Sequence, residues 1–188
     1  MADFHRRDFF RDAARRIVEP LADFLAERLP APPEHGFLRP PGAIAETRFN
    51  ETCLRCGNCV EICPAHCIFS LDSLHGPAAG TPAIDPDRAA CVVCDGLHCT
   101  HVCPSGALLP LGDPKLIRMG LAEVYGAVCV RSHGESCTIC VDRCPLGSAA
   151  IRFDDAGPPT VLDDGCVGCG ICQLYCPTTP KAITVRPQ

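Results

Sequence analysis

Residues 166–177 read Cys166-Val167-Gly168-Cys169-Gly170-Ile171-Cys172-Gln173-Leu174-Tyr175-Cys176-Pro177, the pattern C-x2-C-x2-C-x3-C-P. Three cysteines two residues apart let one tight loop present three sulfurs to a single compact group. The fourth, set three residues further on, points away from it, and Pro177 fixes the direction in which the chain leaves. The same run recurs at Cys53, Cys56, Cys59 and Cys63-Pro64. A widened form, C-x2-C-x4-C-x3-C-P, occupies Cys91, Cys94, Cys99 and Cys103-Pro104. A third form occupies Cys129, Cys137, Cys140 and Cys144-Pro145, where the first gap has grown to seven residues. Four runs of four use 16 of the 17 cysteines and leave Cys67 over.

Seventeen cysteines in 188 residues would suggest a disulfide scaffold in a short secreted chain. Bridged frameworks do not repeat CxxC…xxxCP four times, however. Zinc ribbons pair two CxxC knuckles, often with histidine, and have no third and fourth cysteine at fixed offsets before a proline. The pattern is instead a ligand set for [4Fe–4S] clusters, in which the last cysteine of a run serves the neighbouring cluster. Sixteen thiolates suffice for four clusters. Thiols destined for clusters must stay reduced until loading, which favours assembly in the cytoplasm.

The rest of the composition agrees. There is no tryptophan, ten residues are aromatic, and glycine and proline total 35. Such a chain struggles to bury a conventional core, and metal binding must supply part of the folding free energy. The formal charge is −5, and each oxidised cluster with its thiolates adds about −2. An acidic protein lacks the basic footprint that nucleic acid requires, and it suits a partner with a basic docking face. No stretch approaches the length of a membrane span.

Residues 1–29 read as an amphipathic helical arm. Phe10, Ala13, Ala14, Ile17, Leu21, Phe24 and Leu25 recur at helical spacing, with a break expected at Pro20. The start, His5-Arg6-Arg7-Asp8-Phe9-Phe10-Arg11, resembles a twin-arginine export signal but lacks an apolar h-region. The segment is therefore expected to be retained and the protein to be cytoplasmic, with periplasmic export as the alternative. Residues 30–42 are Pro-rich and read as an extended linker. The ferredoxin-like domain is placed at 43–188.

Within that domain the chain is a repeat. Each Cys-Pro leads to an apolar strand: Cys67-Ile68-Phe69, Ala107-Leu108-Leu109, Ala150-Ile151-Arg152-Phe153 and Ala182-Ile183-Thr184-Val185. Residues 81–85 and 159–163 offer returning partners for two of them. The fold class implied is α+β, with tandem bacterial-ferredoxin-like dicluster units forming two pseudo-twofold modules behind the N-terminal arm. Residues 114–125 read as a helical turn leading into a strand before Cys129.

The order of the four runs, the widened second run, Arg118-Met119-Gly120-Leu121-Ala122 and the long-gap third run together resemble the NapG/MauM-type polyferredoxins. The resemblance covers residues 43–188. It implies four [4Fe–4S] clusters on the 16 run cysteines and electron transfer in periplasmic nitrate-reduction or amine-oxidation systems. In lacking an h-region the start is similar to that of the NapF-type relatives. Two pairings of the runs are open: adjacent, first with second and third with fourth, or nested, first with fourth and second with third. Analogy with the iron–sulfur subunits of molybdoenzymes favours nested.

The remaining features carry no separate chemistry. Cys67 occupies a slot that holds alanine in the other repeats and reads as a small buried residue, with a redox or substitute-ligand role as the alternative. His66, His98 and His101 lie in or beside runs that already have four thiols each, so they read as solvent or tuning histidines. Gly57, Gly168 and Gly170 let the backbone bend close to the sulfurs. No GxGxxG, Walker, GxSxG or HExxH motif occurs, and no residue reads as catalytic. The function implied is electron relay between redox protein partners, an oxidoreductase or a quinol-linked donor, docked through residues 1–29 or an acidic face. The alternatives are a maturation factor for a metalloenzyme, and a permanent subunit of a molybdenum, tungsten or hydrogenase complex.

Overall fold

A computed structural model describes residues 37–188. The amphipathic arm, the twin-arginine-like start and the first part of the Pro-rich segment lie outside the described residues. The elements are short, because the cysteine loops between them consume most of the chain. In order they are α1 (Glu46–Thr52), α2 (Asn58–Glu61), β1 (Ile68–Ser70), β2 (Pro82–Ile84), α3 (His98–His101), β3 (Gly120–Val124), α4 (Ile139–Asp142), β4 (Ile151–Arg152), β5 (Thr160–Val161), α5 (Ile171–Leu174) and β6 (Ile183–Pro187). This is a mixed helix–strand, ferredoxin-like fold.

One topology occurs twice. In the first half β1 and β2 form an antiparallel hairpin, Ile68 opposite Ile84. The entry to the first run and the exit from the second meet in an antiparallel bridge, Ala43 opposite Leu108. Ile44 donates to Ala107 at 3.0 Å and Leu109 to Gly42 at 2.7 Å. In the second half β4 and β5 form the hairpin, Ile151 opposite Val161. There β3 and β6 close the unit over five pairs, from Gly120 opposite Pro187 to Val124 opposite Ile183. The hairpins, β6 and the turn before β3 fall where the apolar runs predict them. The expected strand at 107–109 is reduced to the single bridge.

Residues 37–42, which composition assigns to the linker, are packed into the domain. Leu38, Pro40 and Pro41 are buried, and the Leu38 carbonyl accepts from Ile84 N–H at 2.8 Å. Prolines lack the donor that burial would leave unpaired, so this segment can line a core without cost. Between its apolar residues lies Arg39, 6% exposed. Its guanidinium forms a forked pair with Glu46 on α1, at 2.8 and 2.6 Å. It also donates to Thr81 Oγ1 at 2.8 Å and to the Pro82 carbonyl at 2.7 Å. Its flat faces lie against Phe49, 4.6 Å from the ring centre, and Phe37, 5.1 Å away. One cation thus ties the entering chain, α1 and β2 together. The Arg39 hydrogen bonds hold the Glu46 carboxyl below its ordinary range, against the opposing effect of partial burial.

The two halves share one core. Ala90, Cys91 and Leu97 of the first half cluster with Ile117, Met119, Val167, Cys169 and Ile171. A second, smaller cluster joins Ala122, Ile151, Cys176, Ala182 and Ile183. Gln173, buried on α5, donates to Asp87 at 2.9 Å and accepts from Val185 N–H at 2.7 Å, so one amide links the first half, α5 and β6.

Replacing Arg39 by Met should destabilise the domain by about 3 kcal/mol, since it strands the hydrogen-bonding groups of Thr81 and Pro82 and unpairs Glu46. Cluster absorbance of the anaerobic holo-protein should bleach faster in guanidinium. An unchanged bleaching rate would show that the Arg39 network contributes nothing.

Candidate iron–sulfur sites

The run cysteines converge on four cavities among the described residues. Cys53, Cys56 and Cys59 line the first together with Cys103, the last cysteine of the second run. Cys91, Cys94 and Cys99 line another with Cys63, the last cysteine of the first run. Cys166, Cys169 and Cys172 meet Cys144, and Cys129, Cys137 and Cys140 meet Cys176. Each run therefore gives three sulfurs to its own cavity and the fourth to its neighbour's. The pairing is adjacent, first with second and third with fourth, which corrects the nested arrangement that analogy favoured. The reason is local. The β1–β2 and β4–β5 hairpins return the chain antiparallel, so the second run lands beside the first and the fourth beside the third.

The irregular runs reach the same geometry by separate devices. In the second run the two extra residues turn through Gly96 and Leu97, both at positive φ. In the third run a 3-10 turn, Val130–His133, ends at Gly134 with φ 87° and folds the seven-residue gap back on itself. Arg131 pins it by donating to the Gly157 carbonyl at 2.7 Å and lying 3.9 Å over the Phe153 ring. Cys129 is thereby brought to its fellows.

The donor set is sulfur alone. No histidine lines any of the four cavities, and His66, His98 and His101 are exposed. Soft thiolates select iron–sulfur clusters, zinc or Cu(I). Among the described residues no three Cys, His, Asp or Glu side chains gather closely enough to hold a single metal ion. Four sulfurs at each cavity, three from one run and one from its neighbour, are the ligand set of a [4Fe–4S] cubane. Backbone donors face the sulfurs: Arg55 N–H reaches Cys53 Sγ at 3.4 Å and Leu108 N–H reaches Cys103 Sγ at 3.4 Å. Left-handed backbone turns these groups inward at Arg55, Val93 and Gly168, each two residues after the first cysteine of its run. Val93 is β-branched at φ 50°, a strained conformation of the kind that clusters at functional sites.

Burial dominates the electrostatics. It pushes the Cys59 and Cys140 thiols up to about 11 and the Cys99 and Cys169 thiols up to about 12, and neighbouring thiolates add to the effect. Cys172 is raised further for the same reasons. Cys103 and Cys176 are lowered despite burial, because backbone N–H groups and the hydroxyls of Ser105 and Thr178 favour the thiolate. Those hydroxyls lie 3.6 and 3.2 Å from the sulfurs. They serve the cavities of the first and third runs, whereas Ala65 and Leu146 hold the corresponding places after Cys63 and Cys144.

The cavities are not equally deep. Cys63, Cys91 and Cys99 are buried, whereas Cys56 is exposed and Cys129, Cys137 and Cys140 are half-buried. The second and fourth runs touch across the shared core: Cys91 N–H donates to the Cys169 carbonyl at 2.9 Å. The spatial order is thus first, second, fourth, third. Sequence reasoning missed this contact. Its signal lay in Gly170, where a bend toward sulfur was expected and a close approach to the first half is also required. A Cβ at Gly170 would lie 2.8 Å from Pro86. A Cβ at Gly168 would fall on the Gly120 backbone, with φ already at 71°.

A family profile described as a 4Fe-4S dicluster domain matches residues 52–107, the span of the first and second runs. The chain is 36% identical to the methylamine utilization ferredoxin-type protein MauM of Methylophilus methylotrophus, covering 100% of this chain and 89% of that protein. It is 37% identical to MauM of Methylobacillus flagellatus, over 97% of this chain and 84% of that one. The ferredoxin-type protein NapG of Escherichia coli is 37% identical over 80% of this chain and 70% of its own length.

Replacing Gly168 by Ala should cost at least about 2 kcal/mol, from a strained φ together with a backbone collision. The packing of the fourth-run loop against β3 should loosen, seen as faster amide exchange at Met119, whose N–H bonds the Val167 carbonyl. Wild-type exchange at that position would contradict the packing described.

Proposed function

Because the chain belongs to the ferredoxin-type family of MauM and NapG, and is an electron-transfer iron–sulfur protein and not an enzyme, we propose that its 16 run cysteines hold four [4Fe–4S] clusters in series. When bound, each cluster takes up and gives back single electrons. The observation that carries the reading is the meeting, at each of four cavities, of three sulfurs from one run with the last sulfur of its neighbour. The repeated topology supports two pseudo-twofold dicluster modules joined end to end.

The chain's own residues set the route. The thiols of Cys59 and Cys99 are close enough to influence each other, as are those of Cys140 and Cys172, and of Cys91 and Cys169. The path therefore runs from the first-run cavity through the second-run and fourth-run cavities to the third-run cavity. Exposed Cys56 marks one end. Half-buried Cys129, Cys137 and Cys140 mark the other. Ser105 and Thr178 hold hydrogen bonds on the two end cavities, a device that raises a cluster's potential. The second-run cavity, with Cys63, Cys91 and Cys99 buried, and the fourth-run cavity, with Cys169 buried among half-buried Cys144, Cys166 and Cys172, lie between the two ends, so electrons enter and leave at the ends.

Partners follow from charge. The acidic surface suits redox proteins with a basic docking face, and residues 1–29 supply a second docking element. No helix among the described residues is long and apolar enough to cross a membrane. Loading with clusters is assigned to the cytoplasm, where thiols stay reduced. The Arg6-Arg7 start leaves export of the loaded protein to the periplasm as the alternative.

Iron and acid-labile sulfide on anaerobically purified protein should each come to about sixteen per chain, for four [4Fe–4S] clusters. A potential-stepped EPR titration should show interacting signals. About four metal ions without sulfide would mean zinc and would end the relay reading.

A further inference from the structure

The cavity of the second run is lined by five sulfurs, not four. Besides Cys91, Cys94, Cys99 and Cys63, it is lined by Cys67. The equivalent slot, the small residue that follows the last cysteine of a run and opens the next strand, lines the cavity in all four repeats. It is Ala107 in the first-run cavity, Ala150 in the fourth-run cavity and Ala182 in the third-run cavity. All four side chains are buried. Three present a methyl group to the site, and Cys67 alone presents a metal-binding atom. Its Sγ lies 3.6 Å from Cys63 Sγ, so the two sulfurs compete for nearly the same point on the cavity wall.

We propose that Cys67 is an alternate cluster ligand, interchangeable with Cys63 at the second-run cavity. The proposal rests on the four-cluster reading and adds to it a site with a spare sulfur. The exchange balances without a redox step. The Cys63 Sγ–Fe bond breaks and a Cys67 Sγ–Fe bond forms, while the proton of the Cys67 thiol passes to the freed Cys63 sulfur. The short Sγ–Sγ distance lets the proton move directly between the two sulfurs. His66, immediately before Cys67, holds a left-handed φ of 48° and donates its N–H to the Cys63 carbonyl at 3.0 Å. This tight turn is what brings the two sulfurs to one wall. None of the other last cysteines has such a partner, since Cys103, Cys144 and Cys176 face alanine. The second-run cavity also has the most buried cysteines, with Cys63, Cys67, Cys91 and Cys99 all buried.

The test compares iron and sulfide per chain in four anaerobically purified proteins: wild type, Cys103→Ala, Cys63→Ala and Cys63→Ala/Cys67→Ala. Cys103→Ala should lose one cluster's worth of iron and sulfide, because Ala107 offers no replacement. Cys63→Ala should retain the wild-type content, with Cys67 in place, and only the double variant should lose it. If Cys63→Ala loses as much as Cys103→Ala, Cys67 is no ligand and the proposal falls. If wild type holds no sulfide, or if Cys103→Ala loses none, the four-cluster reading fails and the proposal goes with it. EPR of Cys63→Ala gives a second readout, since a sulfur shifted along the wall should alter one cluster's signal and leave the other three alone.

Discussion

A buried thiol is stable as a thiolate only when a cation or well-placed hydrogen-bond donors face it, and most of this molecule follows from that. Burial raises Cys59, Cys99, Cys140 and Cys169 far above the ordinary thiol range, so the cavities resist charge until iron supplies it. The chain has little else to fold around. Its described strands are at most five residues long and four of its five short helices span four residues, too little to stand without the sulfur-lined cavities between them. The exceptions mark where extra support is built. Arg39, between Phe37 and Phe49, draws the entering segment, α1 and β2 into one network. Gln173 does the same for the contact between the halves.

How much of this could be read from the residues depends on how local each feature is. The four runs, the hairpins around 68–84 and 151–161, and the strand at 183–187 are written in spacing and alternation over a few residues. The pairing of the runs is not. Both adjacent and nested pairings satisfy the same cysteine pattern, and only the lengths and directions of the hairpins decide between them. The junction of Cys91 with Cys169 is a contact between backbone atoms 78 residues apart in sequence, and no side-chain pattern announces it. Arg39 was hidden by its neighbours, since a Pro-rich stretch reads as linker until its prolines are seen to be buried. Cys67 was visible as the odd cysteine, but the direction of its sulfur depends on the left-handed turn at His66.

The placement of the four cavities gives the molecule its functional direction. Chain order and spatial order differ: the third run, although it precedes the fourth, lies at the far end. The cause is the way each half closes on itself. In each half the later run faces the middle and the earlier run faces outward, so joining the halves through their later runs sets both earlier runs at the ends. The buried second-run cavity and the close approach of Gly170 to Pro86 pack the middle tightly, while exposed Cys56 lies at one end. The proposed relay would need this arrangement, because single-electron carriers must be near one another inside and near a partner only at the termini.

The most direct test of the account is an iron anomalous difference map from crystals of the anaerobic holo-protein. The account predicts four iron peaks in a row. Each should lie between three sulfurs of one run and the last sulfur of the adjacent run, in the order first, second, fourth, third. A peak shared between the first and fourth runs, or a row in which the first or third run lies inside, would contradict it.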